Sequence, residues 1–153
     1  MELENFRVSP GEEVRFSKTI GESDVYLFAG LTGDLSEVHC NHEYMSKGAF
    51  GQRIAHGVLT VGLMSTTSTL MYTPHVRHYV GYTPVSQGYD RIRFAGPVFF
   101  GDTITVTYRV KELEPECNRA LADVEARNQR GDLVASAIHI MRWVEVHPVD
   151  ASA

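Results

Sequence analysis

The chain has few cysteines, few basic residues and no long apolar run. Its two cysteines, Cys40 and Cys117, are too few for a disulfide framework and lack C-x-x-C spacing, which suggests plain thiols in a reducing cytoplasm. Acidic residues outnumber lysine and arginine by 19 to 14, and the formal net charge is −5. A protein that neutralises many phosphates needs a basic stripe, and none is present, so nucleic acid is not expected as a partner.

Signals for membranes and export are missing as well. No stretch approaches about 18 uninterrupted apolar residues, the length that a membrane-spanning helix needs. The opening MELENFRVSPGEE has neither the basic nor the apolar part of a signal peptide. We therefore expect a cytoplasmic protein with no membrane partner, folded as one domain over residues 1–153, because its 43% hydrophobic and 22% charged residues are ordinary globular values.

Residues 56–72, HGVLTVGLMSTTSTLMY, predict the centre of the fold. The segment contains no proline and no charged residue, and its apolar side chains are distributed around the helical wheel. This pattern predicts a long helix that is buried on many sides. Because threonine, serine and glycine are poor helix formers, packing must hold the helix together.

Strand patterns lie on both sides of this helix. Residues 14–20 alternate apolar and polar side chains, and four further strand-like runs follow the helix after a loop over residues 73–88. The dipeptide GD at 101–102 and the QRGD segment at 129–132 predict turns between these runs. One long helix with antiparallel strands predicts an α+β fold whose sheet curls round the helix.

Two short predicted helices enclose the polar segment TGDLSEVHCNH, residues 32–42. Ser23 and Gly33 are expected to begin and end the first helix, and Asn41 and Gly48 the second. The segment between them has no regular hydrophobic period, which predicts an irregular loop.

This loop contains a candidate acid/base pair, Asp34 and His39. Five positions separate them, which is about 140° on a helix and opposite faces of a strand, so only irregular backbone can make them converge. A carboxylate and an imidazole that face one small volume can hold a water, take its proton and deliver a proton elsewhere. Hydratase or hydrolase chemistry is the functional interpretation, and an ordinary polar loop is the alternative.

The start of the central helix offers further candidates. The first amides of a helix lack intrahelical partners, so the Gly57 N–H is a candidate donor to an oxyanion, or else Gly57 simply permits close packing. His56 is expected to line the mouth of the site, where it contacts substrate, or to cap the helix. Ser65 lies about 12 Å further along the helix axis and is expected to support the site through a hydrogen bond.

The residues just described resemble the signature region of the MaoC-like (R)-specific enoyl-CoA hydratases. YLFAGLTGDLSEVHCNH at 26–42 resembles the family pattern aromatic-x2-A/G-x-S/T-G-D-x-N-P-x-H, and FGQRIAHGVL at 50–59 resembles F-x-x-x-I-x-H-G-x-L. The resemblance continues through YDRIRFAGPVFFGDTITVTYRV and covers most of residues 12–145.

The resemblance implies a hot-dog fold, in which an antiparallel sheet wraps around one long central helix, and a homodimer. It implies reversible hydration of trans-2-enoyl-CoA to (R)-3-hydroxyacyl-CoA, with CoA present only as part of the substrate and with no cofactor or metal. By the same resemblance Asp34 and His39 activate water, the Gly57 N–H binds the thioester carbonyl, and Ser65 belongs to the site. Ser36 and Glu37 stand where the family has Asn-Pro, which puts the geometry of the loop in question.

Several alternatives remain open from the residues alone. The histidine pairs 39/42 and 75/78 are weak metal-site patterns, because zinc needs three or four converging ligands. Arg91 and Arg93, together with Arg53 and Lys47, are candidates for binding CoA phosphates, although solvated charges are the simpler interpretation. A hot-dog thioesterase is disfavoured because no carboxylate opens the central helix, and a non-catalytic acyl-CoA-binding subunit is a further alternative.

Overall fold

The computed structural model describes residues 2–78 and 81–146. Five strands and four α-helices alternate with short 3-10 turns in the order β1 (Glu13–Thr19), α1 (Glu22–Thr32), α2 (Glu37–Cys40), α3 (His42–Met45), α4 (Gly57–Tyr72), β2 (Tyr82–Phe94), β3 (Thr103–Glu114), β4 (Arg119–Arg127) and β5 (Leu133–Glu145). The predicted long helix is α4, and the four predicted strands that follow it are β2 to β5.

The strands form one antiparallel sheet in the order β1-β3-β4-β5-β2. The predicted α+β fold is confirmed, with α4 as its long helix. The predicted loop over residues 73–88 is wrong in part, because a 3-10 helix covers Thr73–His78 and β2 already begins at Tyr82. Pro84 lies inside β2, which an edge strand tolerates because only one of its sides pairs with a neighbour.

Alternating side chains of the sheet form the core. On β3 the buried residues recur at every second position, and β4 has the same period. These inner side chains pack against the buried residues of α4, which include Leu63, Met64 and Met71. The central strands and α4 are therefore the rigid frame on which the loops of the site are mounted.

The expectation that α4 is buried on many sides is wrong for the single chain. The sheet covers one face of the helix, whereas Val58 and Leu70 on the other faces remain 57% and 43% exposed. Among the described residues, no helix combines the length and the apolar character needed to cross a bilayer.

A polar cluster lies within this core, centred on His139 of β5. His139 is fully buried, and its two ring nitrogens each contact a hydroxyl group at 2.8 Å, that of Tyr108 at Nδ1 and that of Ser86 at Nε2. The Tyr108 hydroxyl is also 3.3 Å from the Tyr72 hydroxyl of α4. Burial lowers the pKa of His139 to about 4, so the ring is neutral near pH 7.

We expect the protein to lose stability as the pH falls from about 6.5 to about 4, because of His139. In this interval the unfolded chain binds a proton at this residue and the folded chain does not, so acidification favours unfolding. The expected loss is on the order of 3 kcal/mol. Thermal unfolding measured across this pH range should show a flatter profile for His139→Gln than for wild type, and equal slopes would contradict the assignment.

Candidate active site

The backbone between α1 and α2 turns sharply at Gly33. Gly33 has φ +78°, a conformation that favours glycine, and its N–H donates to the Ala29 carbonyl at 2.8 Å. Gly33 therefore ends α1, as predicted. The predicted start at Ser23 is wrong by two positions, since Gly21 is the N-cap and its N–H donates to the Asp24 carboxylate.

The Ser36-Glu37 pair keeps the loop in a regular turn. Ser36 is the N-cap of α2, and its carbonyl accepts from the N–H groups of His39 and Cys40 at 2.9 and 3.1 Å. Glu37 occupies the first helical position, where proline is favoured for its backbone angle and an acidic side chain is favoured by the helix dipole. The Asp34 carboxylate accepts from the Ser36 N–H at 3.3 Å. The short helix therefore forms without Asn-Pro.

Asn41 is the N-cap of α3, as predicted, and accepts from the Tyr44 N–H at 3.0 Å. The helix ends at Met45 and not at the predicted Gly48. Two short helices thus hold the loop from both ends.

The predicted irregular loop over residues 32–42 is wrong in part, because His39 lies in α2. The irregular turn between α1 and α2 still brings Asp34 and His39 together. A carboxylate oxygen of Asp34, a ring nitrogen of His39 and a ring nitrogen of His56 all lie within 4.8 Å of one another. The Asp34 side chain is 53% exposed, so water reaches it freely, whereas His56 is 2% exposed. An exposed carboxylate and a partly buried imidazole thus share one small volume above a buried histidine.

A hydrogen bond fixes the tautomer of His39. Its Nδ1 lies 2.8 Å from the Ile54 carbonyl, and since a carbonyl only accepts, Nδ1 carries the proton. In the neutral ring, Nε2 is then the basic nitrogen. His39 is therefore oriented to accept a proton at Nε2.

His56 holds this arrangement from below. Its Nε2 donates to the Asp34 backbone carbonyl at 3.0 Å and lies 3.9 Å from the Asp34 carboxylate. Its ring stacks on that of His39, with 3.8 Å between centroids and 30° between planes, and Phe28 packs 4.8 Å away. The expectation that His56 contacts substrate does not fit its burial, since it lies under the pair and not on the wall of the adjacent cavity. We interpret it as a positioning residue.

The same three side chains give little support to a metal site. The His56 Nε2 already donates to a carbonyl, and its Nδ1 is buried. The His39 and His56 rings stack with 3.8 Å between centroids, whereas the imidazoles of a tetrahedral zinc site converge on one ion from different directions. The second candidate pair includes His78, whose side chain lies outside the described part of the structure. The absence of a metal or cofactor stays a prediction.

A cavity of about 490 Å³ opens next to the pair. His39 and Gly57 face it together with Thr60 of α4 and Phe94 at the end of β2. The rest of the lining is apolar or backbone, contributed by Phe50, Ile54, Ala55, Ala95, Gly96, Pro97, Val98 and Val134. A mostly apolar cavity with a few polar groups at one end is typical of small-molecule sites.

Gly57 permits the close packing expected from the sequence, and its role as an oxyanion donor stays a prediction. It is the first residue of α4, and among the described residues none accepts a hydrogen bond from its N–H. A Cβ at this position would lie 2.9 Å from the Phe94 ring, so only glycine fits beneath it. The close approach to Phe94 and the free amide are therefore properties of the same position.

Ser65 does not reach this cavity. Its side chain is exposed on α4, and its carbonyl accepts from the hydroxyls of Ser68 and Thr69. The Ser65 hydroxyl lies near the Tyr89 hydroxyl of β2. A supporting role for Ser65 within the pair's own volume stays a prediction that the single chain does not support.

The arginines proposed for CoA phosphates lie elsewhere. Arg91 has φ +53° at a bulge in β2 and lines a separate groove with Arg109 on the sheet. Arg93 is exposed and donates to the carbonyl of its neighbour Ile92. Neither side chain lines the cavity, so their role in substrate binding stays a prediction.

The other two cations are already paired. Arg53 contacts Tyr26 and Glu22 and lies over the Phe100 ring, which attaches α1 to the body of the fold. Lys47 pairs with Glu43 one turn away at 2.6 Å. Arg53 is therefore a structural link.

The sequence interpretation missed Phe94. Its ring covers Gly57 and lines the cavity, yet the side chain is 52% exposed. No local signal marks it, because the contact depends on how the end of β2 crosses the start of α4. Only the requirement for glycine at position 57 pointed to a close neighbour.

A family model described as the MaoC like domain matches residues 5–130. The (R)-specific enoyl-CoA hydratase of Rhodospirillum rubrum is 39% identical over 110 residues, which cover 71% of this chain and 70% of that protein. The 3-hydroxybutyryl-CoA dehydratase of Methylorubrum extorquens is 36% identical over 103 residues, 67% of this chain but only 60% of that protein.

The solved structures agree with this result. The R-hydratase of Pseudomonas aeruginosa is 27% identical, with a TM-score of 0.75, and the match covers 97% of this chain and 94% of that one. The hot-dog fold implied by the sequence is confirmed by neighbours of this kind. The chain belongs to the family of MaoC-like domains.

Proposed function

We propose that this protein is an enzyme that reversibly hydrates trans-2-enoyl-CoA to (R)-3-hydroxyacyl-CoA. The observation that carries the proposal is the convergence of Asp34 and His39 beside a cavity that also receives the Gly57 N–H. The names of two relatives, a hydratase and a dehydratase of CoA thioesters, support a reversible reaction and the substrate class. The (R) configuration follows the name of the first relative.

In the proposed mechanism one water lies between Asp34 and His39. The neutral His39 ring accepts a proton from this water at Nε2, because Nδ1 already donates to the Ile54 carbonyl. The water oxygen then bonds to C3 of the enoyl group, and a proton from the pair goes to C2. The Asp34 carboxylate holds the water and stabilises the transient positive charge on the imidazole.

The Gly57 N–H supplies electrostatic stabilisation. As water adds to C3, negative charge develops on the thioester oxygen, and a free amide at a helix N-terminus interacts favourably with it. Since this amide has no partner among the described residues, no existing hydrogen bond must break when substrate binds. The donor is thus preorganised for the charged state.

A homodimer is part of the proposal. The exposed apolar side chains of α4 and the unpaired edges of the sheet favour a second copy of the chain as the cover. A cytoplasmic location and the absence of nucleic-acid and membrane partners remain predictions from composition.

Incubation with crotonyl-CoA tests the function directly. Hydration removes the absorbance of the enoyl thioester without releasing thiol, and the product should have the (R) configuration by chiral chromatography. Release of thiol would support the thioesterase alternative. If the enoyl absorbance persists and no thiol appears, the result would support a binding subunit. A protein that leaves crotonyl-CoA and longer enoyl-CoAs unchanged would contradict the proposal.

A further inference from the structure

Thr60 of α4 is a buried threonine whose hydroxyl the fold does not use. The residue is 4% exposed, yet its hydroxyl makes no hydrogen bond within the described part of the chain. Three other threonines of the same helix differ, because each donates to the carbonyl four residues earlier: Thr66, Thr67 and Thr69. A buried polar group without a partner destabilises a fold, so the Thr60 hydroxyl needs an explanation outside the fold.

The Thr60 hydroxyl opens into the cavity beside the acid/base pair. Thr60 lines this cavity together with Gly57 and His39. Its oxygen is not one of the polar atoms that the fold encloses completely. Since almost none of the residue reaches the outer surface, the accessible part of the hydroxyl faces the cavity.

The cavity wall is otherwise poor in polar side chains. Among the described residues that line it, His39 and Thr60 alone carry polar side chains. A few polar groups in an apolar cavity determine how a ligand is oriented. Because the proposed mechanism assigns His39 to the water, Thr60 is available to an oxygen of the substrate.

The helix places Thr60 next to the Gly57 N–H. Three residues of helix correspond to about 4.5 Å of rise and leave the two positions about 60° apart round the axis. Helical side chains tilt toward the N-terminus, so the Thr60 side chain extends back toward the level of Gly57. One ligand oxygen at the start of α4 can therefore accept from the amide and from the hydroxyl at the same time.

Both donors suit an oxygen that gains negative charge during a reaction. A thioester oxygen accepts and never donates, so the threonine hydroxyl is the donor to it. In an apolar cavity a hydrogen bond to a developing negative charge is stronger than in water. Neither donor has a partner within the described part of the chain, so neither must give up a hydrogen bond when substrate binds.

We propose that the Thr60 hydroxyl is a second donor to the thioester oxygen, beside the Gly57 N–H. This inference rests on the proposed function for the reaction and adds a catalytic residue to it. As water adds to C3, the electron pair of the double bond moves toward the thioester oxygen, which accepts from both donors. When the proton reaches C2, the carbonyl forms again and the charge is lost.

The first test compares two ligands that need no turnover, butyryl-CoA and its thioether S-butyl-CoA, by titration calorimetry. The thioether has a methylene group where the thioester has its carbonyl, so the ratio of the two affinities measures the hydrogen bonds to the oxygen. Wild type is expected to prefer butyryl-CoA about tenfold. Thr60→Val keeps the shape of the side chain without the hydroxyl and should reduce the preference to about threefold.

Two further variants serve as controls. Thr60→Ser retains the hydroxyl and should keep the preference of wild type. Thr67→Val makes the same chemical change at a buried threonine of α4 that does not line the cavity, and it should also keep the preference.

Turnover of crotonyl-CoA gives a second readout. Thr60→Val should lose about 10- to 100-fold in kcat with KM changed by less than about threefold, because a charge-stabilising donor acts mainly in the transition state. Its unfolding temperature should equal or exceed that of wild type, since no hydrogen bond of the fold is removed. A residue that serves the fold would instead lower the unfolding temperature and leave kcat unchanged.

An unchanged preference in Thr60→Val, or loss of the preference in Thr60→Ser, would overturn the proposal. A fall in kcat with the preference intact would also overturn it, because the hydroxyl would then act on the water and not on the thioester oxygen. Wild type that prefers butyryl-CoA but does not hydrate enoyl-CoAs would remove the proposed function alone. Wild type that hydrates crotonyl-CoA but has equal affinities for the two ligands would remove the assignment of Thr60 alone.

Discussion

An Asp34→Asn variant is expected to lose 10²- to 10⁴-fold in kcat, the usual range for a general acid/base group. Asparagine keeps an oxygen that can accept from the Ser36 N–H, so the loop should hold its shape. It removes the negative charge that orients the water and stabilises the imidazolium. The loss should therefore appear in the hydration rate of crotonyl-CoA and not in the unfolding temperature.

Glu37→Gln is the matched control for this experiment. Glu37 is an exposed carboxylate at the start of α2, three residues from Asp34, and it does not line the cavity. Removal of its charge should leave kcat within about threefold, because a single exposed charge changes local energies by less than about 1 kcal/mol. Near-normal turnover by Asp34→Asn, or an equal loss in the control, would contradict the assigned role.

A Gly57→Ala variant is expected to lose at least about 10²-fold in kcat/KM, comparable to removal of one oxyanion donor. The new methyl group would lie 2.9 Å from the Phe94 ring, so either the ring or the start of α4 must shift. A shift of the helix start moves the Gly57 N–H away from the thioester oxygen. Steady-state kinetics with crotonyl-CoA measure this loss.

The same helix supplies a control. Gly62 has open space around its Cα, and Gly62→Ala should raise the free energy of unfolding by about 0.5–1 kcal/mol without changing turnover. In the double variant Gly57→Ala with Phe94→Ala, the clash is removed and activity should partly recover. If the double variant recovers no activity, the loss in Gly57→Ala does not come from the clash with Phe94.

Much of the fold could be predicted because it depends on local patterns. The period-2 alternation of β3 and β4 and the uncharged run of α4 are properties of short segments, and the structure confirms them. The burial of α4 was not predictable in the same way. Its apolar residues occupy all sides of the wheel, so the sequence does not reveal which side the sheet of one chain leaves uncovered.

The same distinction between local patterns and long-range contacts applies to the site. The convergence of Asp34 and His39 could be inferred because a spacing of five excludes regular structure. The position of His56 beneath the pair could not, since stacking on His39 depends on how the loop folds back over the helix start. Phe94 was missed because β2 carries it to α4 across a distance in sequence that no motif marks.

The irregular pairing of β2 with β5 determines the spacing between two side chains of β2. A register shift lies between Asp90 and Arg93, and Tyr89 and Phe94, whose side chains both lie near α4, are on either side of it. The length of the bulge therefore fixes both the interval between these contacts and the face on which each side chain emerges. Tyr89 and Phe94 are five positions apart, but their partners His139 and Ala135 are four apart, so the extra residue of the bulge keeps both side chains on one face of the sheet.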